Sequence, residues 1–220
     1  MLGKPYDIRD LEIVMENLGT MLEAAQLIDE DASFAWNLFI NSKLSERIEC
    51  GDPKYTLGMS GGEYLLFLLE DNKPIYDKLL SKIRNNEAIH NDVYLWAGYA
   101  LAQLQYETTM SFKDINKYIP LDYVLTVFNP LHEADLSKFV DIANERIYRL
   151  KGNNLRNMRK RCGYTQQDLA LMSNVDIRNI QMYEQRRNDI NKASVDILDR
   201  LANALHCSIY DLLERTIMQD

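Results

Sequence analysis

Along almost the whole chain apolar side chains recur at three- and four-residue spacing, and the period-two alternation of a half-buried strand is nearly absent. That spacing gathers apolar residues on one face of a helix, so the chain is expected to be all-α. The stripe Leu11, Val14, Met15, Leu18, Leu22 and Ala25 predicts a first helix over Asp7 to Ile28. Phe34, Trp36, Leu38 and Phe39 predict a second from about Ala32 to Ile48, and Gly51-Asp52-Pro53 breaks the pattern. Ser60 and Glu63 have the spacing of a capping box, in which hydroxyl and carboxylate each satisfy a backbone N–H left over at a helix start. Pro74 opens a short helix that ends near Asn85-Asn86. Asn91 to Glu107 is apolar around most of its circumference and predicts a central helix covered on several sides, with Gly98 permitting close packing. Ser111 and Asp114 repeat the capping pattern, and Pro120 and Pro130 begin two more segments. The last segment runs from Leu131 to about Leu150, with Leu136, Phe139, Val140, Ala143, Ile147 and Leu150 on one stripe, and Lys151-Gly152 closes it.

Charge divides the chain near the same glycine. The formal net charge is -8, but residues 1–150 hold 14 Lys and Arg against 24 Asp and Glu, whereas residues 151–220 hold 11 against 9. Phosphates repel an acidic surface and attract a basic one. Two domains follow, 1–151 and 152–220, and any contact with nucleic acid is expected in the second.

The region 154–213 carries the most specific pattern. Its centre is Thr165-Gln166-Gln167-Asp168-Leu169-Ala170, then Ser173-Asn174-Val175-Asp176, then Ile180 and Glu184, followed by an amphipathic stretch through Leu198, Leu201, Ala202 and Leu205. Position by position it resembles the Cro/repressor-type helix-turn-helix family, also called the XRE family. The resemblance implies a five-helix, lambda-repressor-like domain and a sequence-specific DNA-binding transcriptional regulator. In that architecture the first helix, about Asn154 to Cys162, packs Leu155 and Met158 inward and exposes Arg156, Arg159, Lys160 and Arg161. Gly163 closes it, Thr165 caps the second helix with Asp168 reciprocating, and Leu169 and Ala170 face the core. Asp176 caps the third, the recognition helix, which runs from Ile177 to about Gln185 with Ile180 and Tyr183 buried.

The family pattern then places base-reading side chains at Asp176, Ile177, Arg178, Asn179, Gln181 and Met182. Arg178 is the first candidate, because arginine offers two parallel donors to guanine O6 and N7, while Ile177 and Met182 offer only apolar contacts. Gln166 matches a phosphate-contacting position, and Gln185, Arg186, Arg187 and Lys192 form the expected second phosphate clamp. Two residues depart from the family. Asn174 and Arg186 stand where glycine is usual; the first change is mild, because asparagine tolerates a left-handed backbone, and the second puts the turn after the recognition helix in question.

Catalytic patterns are missing from the sequence. His90, His132 and His206 are the only histidines and form no His-Glu-x-x-His helix; Gly61-Gly62 belongs to no phosphate-binding loop. Cys50, Cys162 and Cys207 are odd in number and far apart, which suggests reduced packing residues rather than disulfides or zinc ligands. The expectation is therefore a protein without enzyme activity, metal or cofactor. Neither a signal-peptide layout nor an apolar run approaching about 18 residues is present, so a cytoplasmic location and no membrane contact are expected.

One small domain reads few base pairs, and regulatory affinity usually comes from a dimer on two half-sites about 34 Å apart. A homodimer on a palindromic double-stranded operator is therefore expected. The first domain would hold it, with Trp36, Tyr94, Trp96, Tyr99 and Tyr106 as core or interface. Three roles stay open: a dimeric repressor, an antitoxin whose acidic domain neutralises a toxin protein while the other domain represses its operon, and a small-molecule-responsive regulator.

Overall fold

Short polar side chains start most of the helices. Asp7 accepts a hydrogen bond from the Arg9 N–H and caps α1 (Ile8–Ala24), which tightens to a 3-10 turn over Ala25–Ile28 and stops at Asp29 with φ 65°. Asp31 caps α2 (Ala32–Ile40) and Ser42 caps α3 (Lys43–Glu49). A single helix was expected over 32–48. Ser42 breaks it, because its hydroxyl accepts from the Ser45 N–H and donates to the Phe39 carbonyl, giving the backbone partners outside the helical ladder. After α4 (Pro53–Thr56), both halves of the Ser60–Glu63 capping box form at the start of α5 (Gly61–Leu68).

The computed structural model describes residues 4–214, and the chain divides into two units, Met1–Ile147 and Tyr148–Asp220. In the first, α6 (Lys73–Arg84), α7 (Asp92–Thr108), α8 (Phe112–Tyr118), α9 (Leu121–Thr126) and α10 (Phe128–Leu131) follow, and α11 (Leu136–Lys151) runs on into the second. Pro130 lies inside α10 rather than opening a segment, and α11 begins five residues later than Leu131, where Asp135 accepts from the Ser137 N–H at 2.8 Å. Leu150, assigned to the buried stripe of α11, is 54% exposed.

The core of the first unit is built on the crossing of α1 and α7. Gly19 and Gly98 meet there: a Cβ on Gly98 would fall 2.1 Å from the Gly19 nitrogen and 2.4 Å from its Cα. Only hydrogen fits between two backbones at that distance. Val14, Leu18, Met21 and Leu22 of α1 and Ala97, Ala100, Leu101 and Leu104 of α7 are buried around it. Trp36, Phe39 and Phe112 extend the core as an aromatic cluster, with Phe39 edge-on to Phe112 at 5.1 Å. Trp36 and Tyr106 are buried, while Tyr94, Trp96 and Tyr99 are half-buried.

The second unit continues with α12 (Asn154–Arg161), α13 (Gln166–Ser173), α14 (Ile177–Glu184), a 3-10 turn over Ile190–Lys192, α15 (Val195–Ala204) and α16 (Ile209–Leu212). Gly152 and Gly163 both take φ 73° at helix ends, as expected of C-terminal caps. Leu155, Leu169, Val175, Ile180, Leu198, Leu201, Leu205 and Leu212 form a separate small core. Among the described residues there is no strand, no helix long and apolar enough to cross a membrane, and no His, Cys, Asp or Glu cluster able to hold a metal ion.

Candidate nucleic-acid interface

The geometry of the second unit is set by two helix starts and the tight turn between them. Thr165 Oγ1 accepts from the Asp168 N–H, and the Asp168 carboxylate accepts from the Thr165 N–H at 2.8 Å, which fixes the first turn of α13. The Thr165 hydroxyl, which also donates to the Asp168 carboxylate at 2.7 Å, and then the Thr165 N–H hold that carboxyl below the usual carboxylate range. The helix ends at Asn174, whose φ of 52° is the left-handed value that asparagine tolerates. Arg200, from α15, donates to the Asn174 carbonyl at 3.0 Å and pins the turn. Asp176 then accepts from the Arg178 N–H at 2.7 Å and starts α14. Ile180 and Tyr183 bury one side of that helix.

The six residues expected to read bases stand at the N-cap of α14 and around the rest of its circumference. Asp176 and Arg178 are exposed; Ile177, Asn179, Gln181 and Met182 are half-buried. Arg178 bonds to Asp176 through its backbone N–H alone, and within the described residues no hydrogen bond or ion pair engages its side chain, so its donors are open to a ligand. Gln185, Arg187 and Lys192 are exposed at and beyond the end of the helix.

Three polar residues are placed differently from the sequence expectation. Arg159, expected on the surface of α12, is buried: its guanidinium donates to the Glu184 carboxylate at 2.6 and 2.9 Å and to the Tyr164 carbonyl at 2.6 Å. Gln166, expected at a phosphate, donates its amide to the same carboxylate at 2.8 Å. Burial works to raise the Glu184 pKa, but the bonds from Arg159 and Gln166 outweigh it and the carboxyl titrates below its ordinary range. Arg186, expected in the phosphate clamp, is turned into the unit, with φ 56° and its nitrogens bonded to Glu214, the Tyr148 carbonyl and the Gly152 carbonyl. A signal for the first of these was present in the sequence. Glu184 follows the buried Ile180 by four residues and so shares its face, and a carboxylate there requires a cationic partner.

A helix-turn-helix family model matches residues 155–212. The C-terminal unit is a helix-turn-helix domain of the XRE type. No curated protein and no solved structure matches the chain. The helix-turn-helix domain makes the chain a DNA-binding transcriptional regulator, and within it α13 and α14 are the two helices that flank the turn. The buried Arg159–Glu184 pair then has a clear effect: it fastens the end of α14 to α12 and, through Gln166, to the start of α13.

Proposed function

We propose that the protein is a repressor that binds a palindromic operator as a homodimer and reads the major groove with α14. The observation that carries the reading is Arg178, exposed and unengaged on the first turn of a helix whose other side is locked into the core. A bidentate arginine at such a position discriminates guanine from other bases by about 1–3 kcal/mol. Arg187, Lys192 and Gln185 supply phosphate contacts, which set register and carry the salt dependence. The acidic first unit joins two copies, so that two recognition helices span successive major grooves. Mobility shift of the intact protein on the DNA upstream of its own gene tests the reading. Equal affinity for that fragment and a random duplex at moderate salt would overturn it.

A groove in the first unit supports a second reading. Phe34, Leu38, Phe67 and Leu68, with Asn37, Asn41 and Ser42, line a concavity of about 560 Å³ without a charged side chain. Its apolar floor and the amides of Asn37 and Asn41 would meet a small uncharged effector on one side, the other side staying open to solvent. A thermal-shift screen in which no compound moves the melting temperature counts against an effector-responsive regulator. The antitoxin reading rests on the acidity of residues 1–150 and would be supported by tight co-purification with a basic protein encoded by a neighbouring gene.

A further inference from the structure

The turn after α14 has an arginine in a conformation that suits glycine. Arg186 has φ 56°, a region costly for a residue with a Cβ, so its side chain must gain something that glycine could not. Its Nη1 and Nη2 donate at 2.8 Å to the carbonyls of Tyr148 and Gly152, where the last turn of α11 leaves acceptors without helical partners. The guanidinium carbon lies 3.7 Å from the centre of the Tyr148 ring, and Nε pairs with Glu214 at 3.0 Å. Glu214 is itself fixed, accepting from Asn153 at 2.8 Å and donating its N–H to Asn191 at 2.9 Å. Arg186 lies within the 155–212 stretch that matches the helix-turn-helix family, and its partners Tyr148 and Glu214 lie just outside it.

We propose that Tyr148, Arg186 and Glu214 form a latch that positions the phosphate-contacting turn for DNA. The proposal rests on the DNA-binding reading above. Arg186 is a positioning residue: every nitrogen of its guanidinium is occupied within the unit, and its neighbour Arg187 is exposed. Anchoring Arg186 to the last turn of α11 fixes the backbone from which Arg187 reaches a phosphate.

The test uses the full chain and a mixed-sequence duplex of three helical turns, titrated at low salt, with circular dichroism melts to verify folding. Tyr148→Ala should weaken binding about fivefold, the worth of one cation–π contact, and Tyr148→Phe, which keeps the ring against the guanidinium but loses the hydroxyl beside Glu214, should weaken it less. Arg186→Gly, whose backbone fits the turn without strain, should also weaken binding. Arg187→Ala should then cost less in the Arg186→Gly background than alone, because Arg187 is already out of register there. Should Tyr148→Ala melt below the assay temperature, this cycle decides by itself. If Arg186 instead contacts phosphate directly, Tyr148→Ala releases it and binding holds or tightens, while the effects of Arg186→Gly and Arg187→Ala add; either result overturns the latch. Wild-type affinity in both Tyr148→Ala and Arg186→Gly overturns the latch alone. A wild-type protein that does not bind duplex at low salt overturns the DNA-binding reading and the latch together.

Discussion

The guanidinium of Arg159 on α12 and the carboxylate of Glu184 at the end of α14 face each other through two hydrogen bonds, 2.6 and 2.9 Å long. Their side chains are 11% and 3% exposed. A charge so nearly removed from water is tolerated because its partner and further donors surround it, and it becomes a liability when one partner is deleted.

Arg159→Ala or Glu184→Ala should therefore destabilise the second unit by about 3–5 kcal/mol, far more than an exposed ion pair would. Denaturant titration followed by hydrogen exchange of peptides from 155–212 gives the value. A loss under about 1 kcal/mol would show that the pair contributes no more than a surface contact.

Stability should fall in acid. Glu184 has a folded pKa below its unfolded value, so its contribution is complete above the unfolded carboxyl pKa of about 4.3 and drains away as pH falls through the folded value. Glu49 in the first unit has the opposite sign. Burial pushes its carboxyl up despite the Phe112 N–H it accepts, so its protonated form favours the fold, and that gain is lost as pH rises through the raised pKa. Glu49→Gln should raise the melting temperature near neutral pH and leave it unchanged in acid. A melting series from about pH 3 to pH 7 checks both signs, and a neutral-pH decrease in Glu49→Gln would contradict the second.

Gly98→Ala should cost about 3 kcal/mol or more, the upper range for overpacking, because the new methyl meets backbone atoms of Gly19 and Leu18 that cannot rotate away. Gly62→Ala is the control, since its Cβ would meet only the end of the Ile83 side chain at 3.1 Å. Thermal melts showing equal losses for the two would mean that the crossing can open.

Arg178→Ala should cost about 1–3 kcal/mol on the operator and relax base preference, whereas Arg187→Ala should weaken all duplexes alike and flatten the salt dependence. Binding isotherms on operator and random DNA at several salt concentrations separate the two. Equal losses on both duplexes for Arg178→Ala would remove it from base recognition.

What the sequence made legible was local. Capping residues such as Asp7, Ser60, Thr165 and Asp176 act within three positions of themselves, so the helix starts they control could be read directly. The break at Ser42 was hidden because Leu44 and Ile48 keep the apolar period running through it. The burial of Arg159 depends on a partner 25 residues away, and that of Arg186 on carbonyls 34 and 38 residues away. Periodicity describes which face of a helix is apolar, and carries nothing about which surface arginine will find an acceptor in another element. Of the six candidate base-reading residues only Asp176 and Arg178 are exposed; Ile177, Asn179, Gln181 and Met182 lie half-buried beside the buried Ile180 and Tyr183, a gradation that periodicity alone does not give.

The contact between Gly19 and Gly98 also governs how a chain of this kind can change over time. One residue inserted into or removed from α1 or α7 turns everything beyond it by about 100° and carries a side chain into a space that admits only hydrogen. Insertions and deletions among descendants should then collect in the connections around Gly51 and Asn86, while these two helices keep their phase. In a comparison of such descendants, a shared pair of glycines with the same number of residues around each would mark common ancestry after the surface had lost all resemblance.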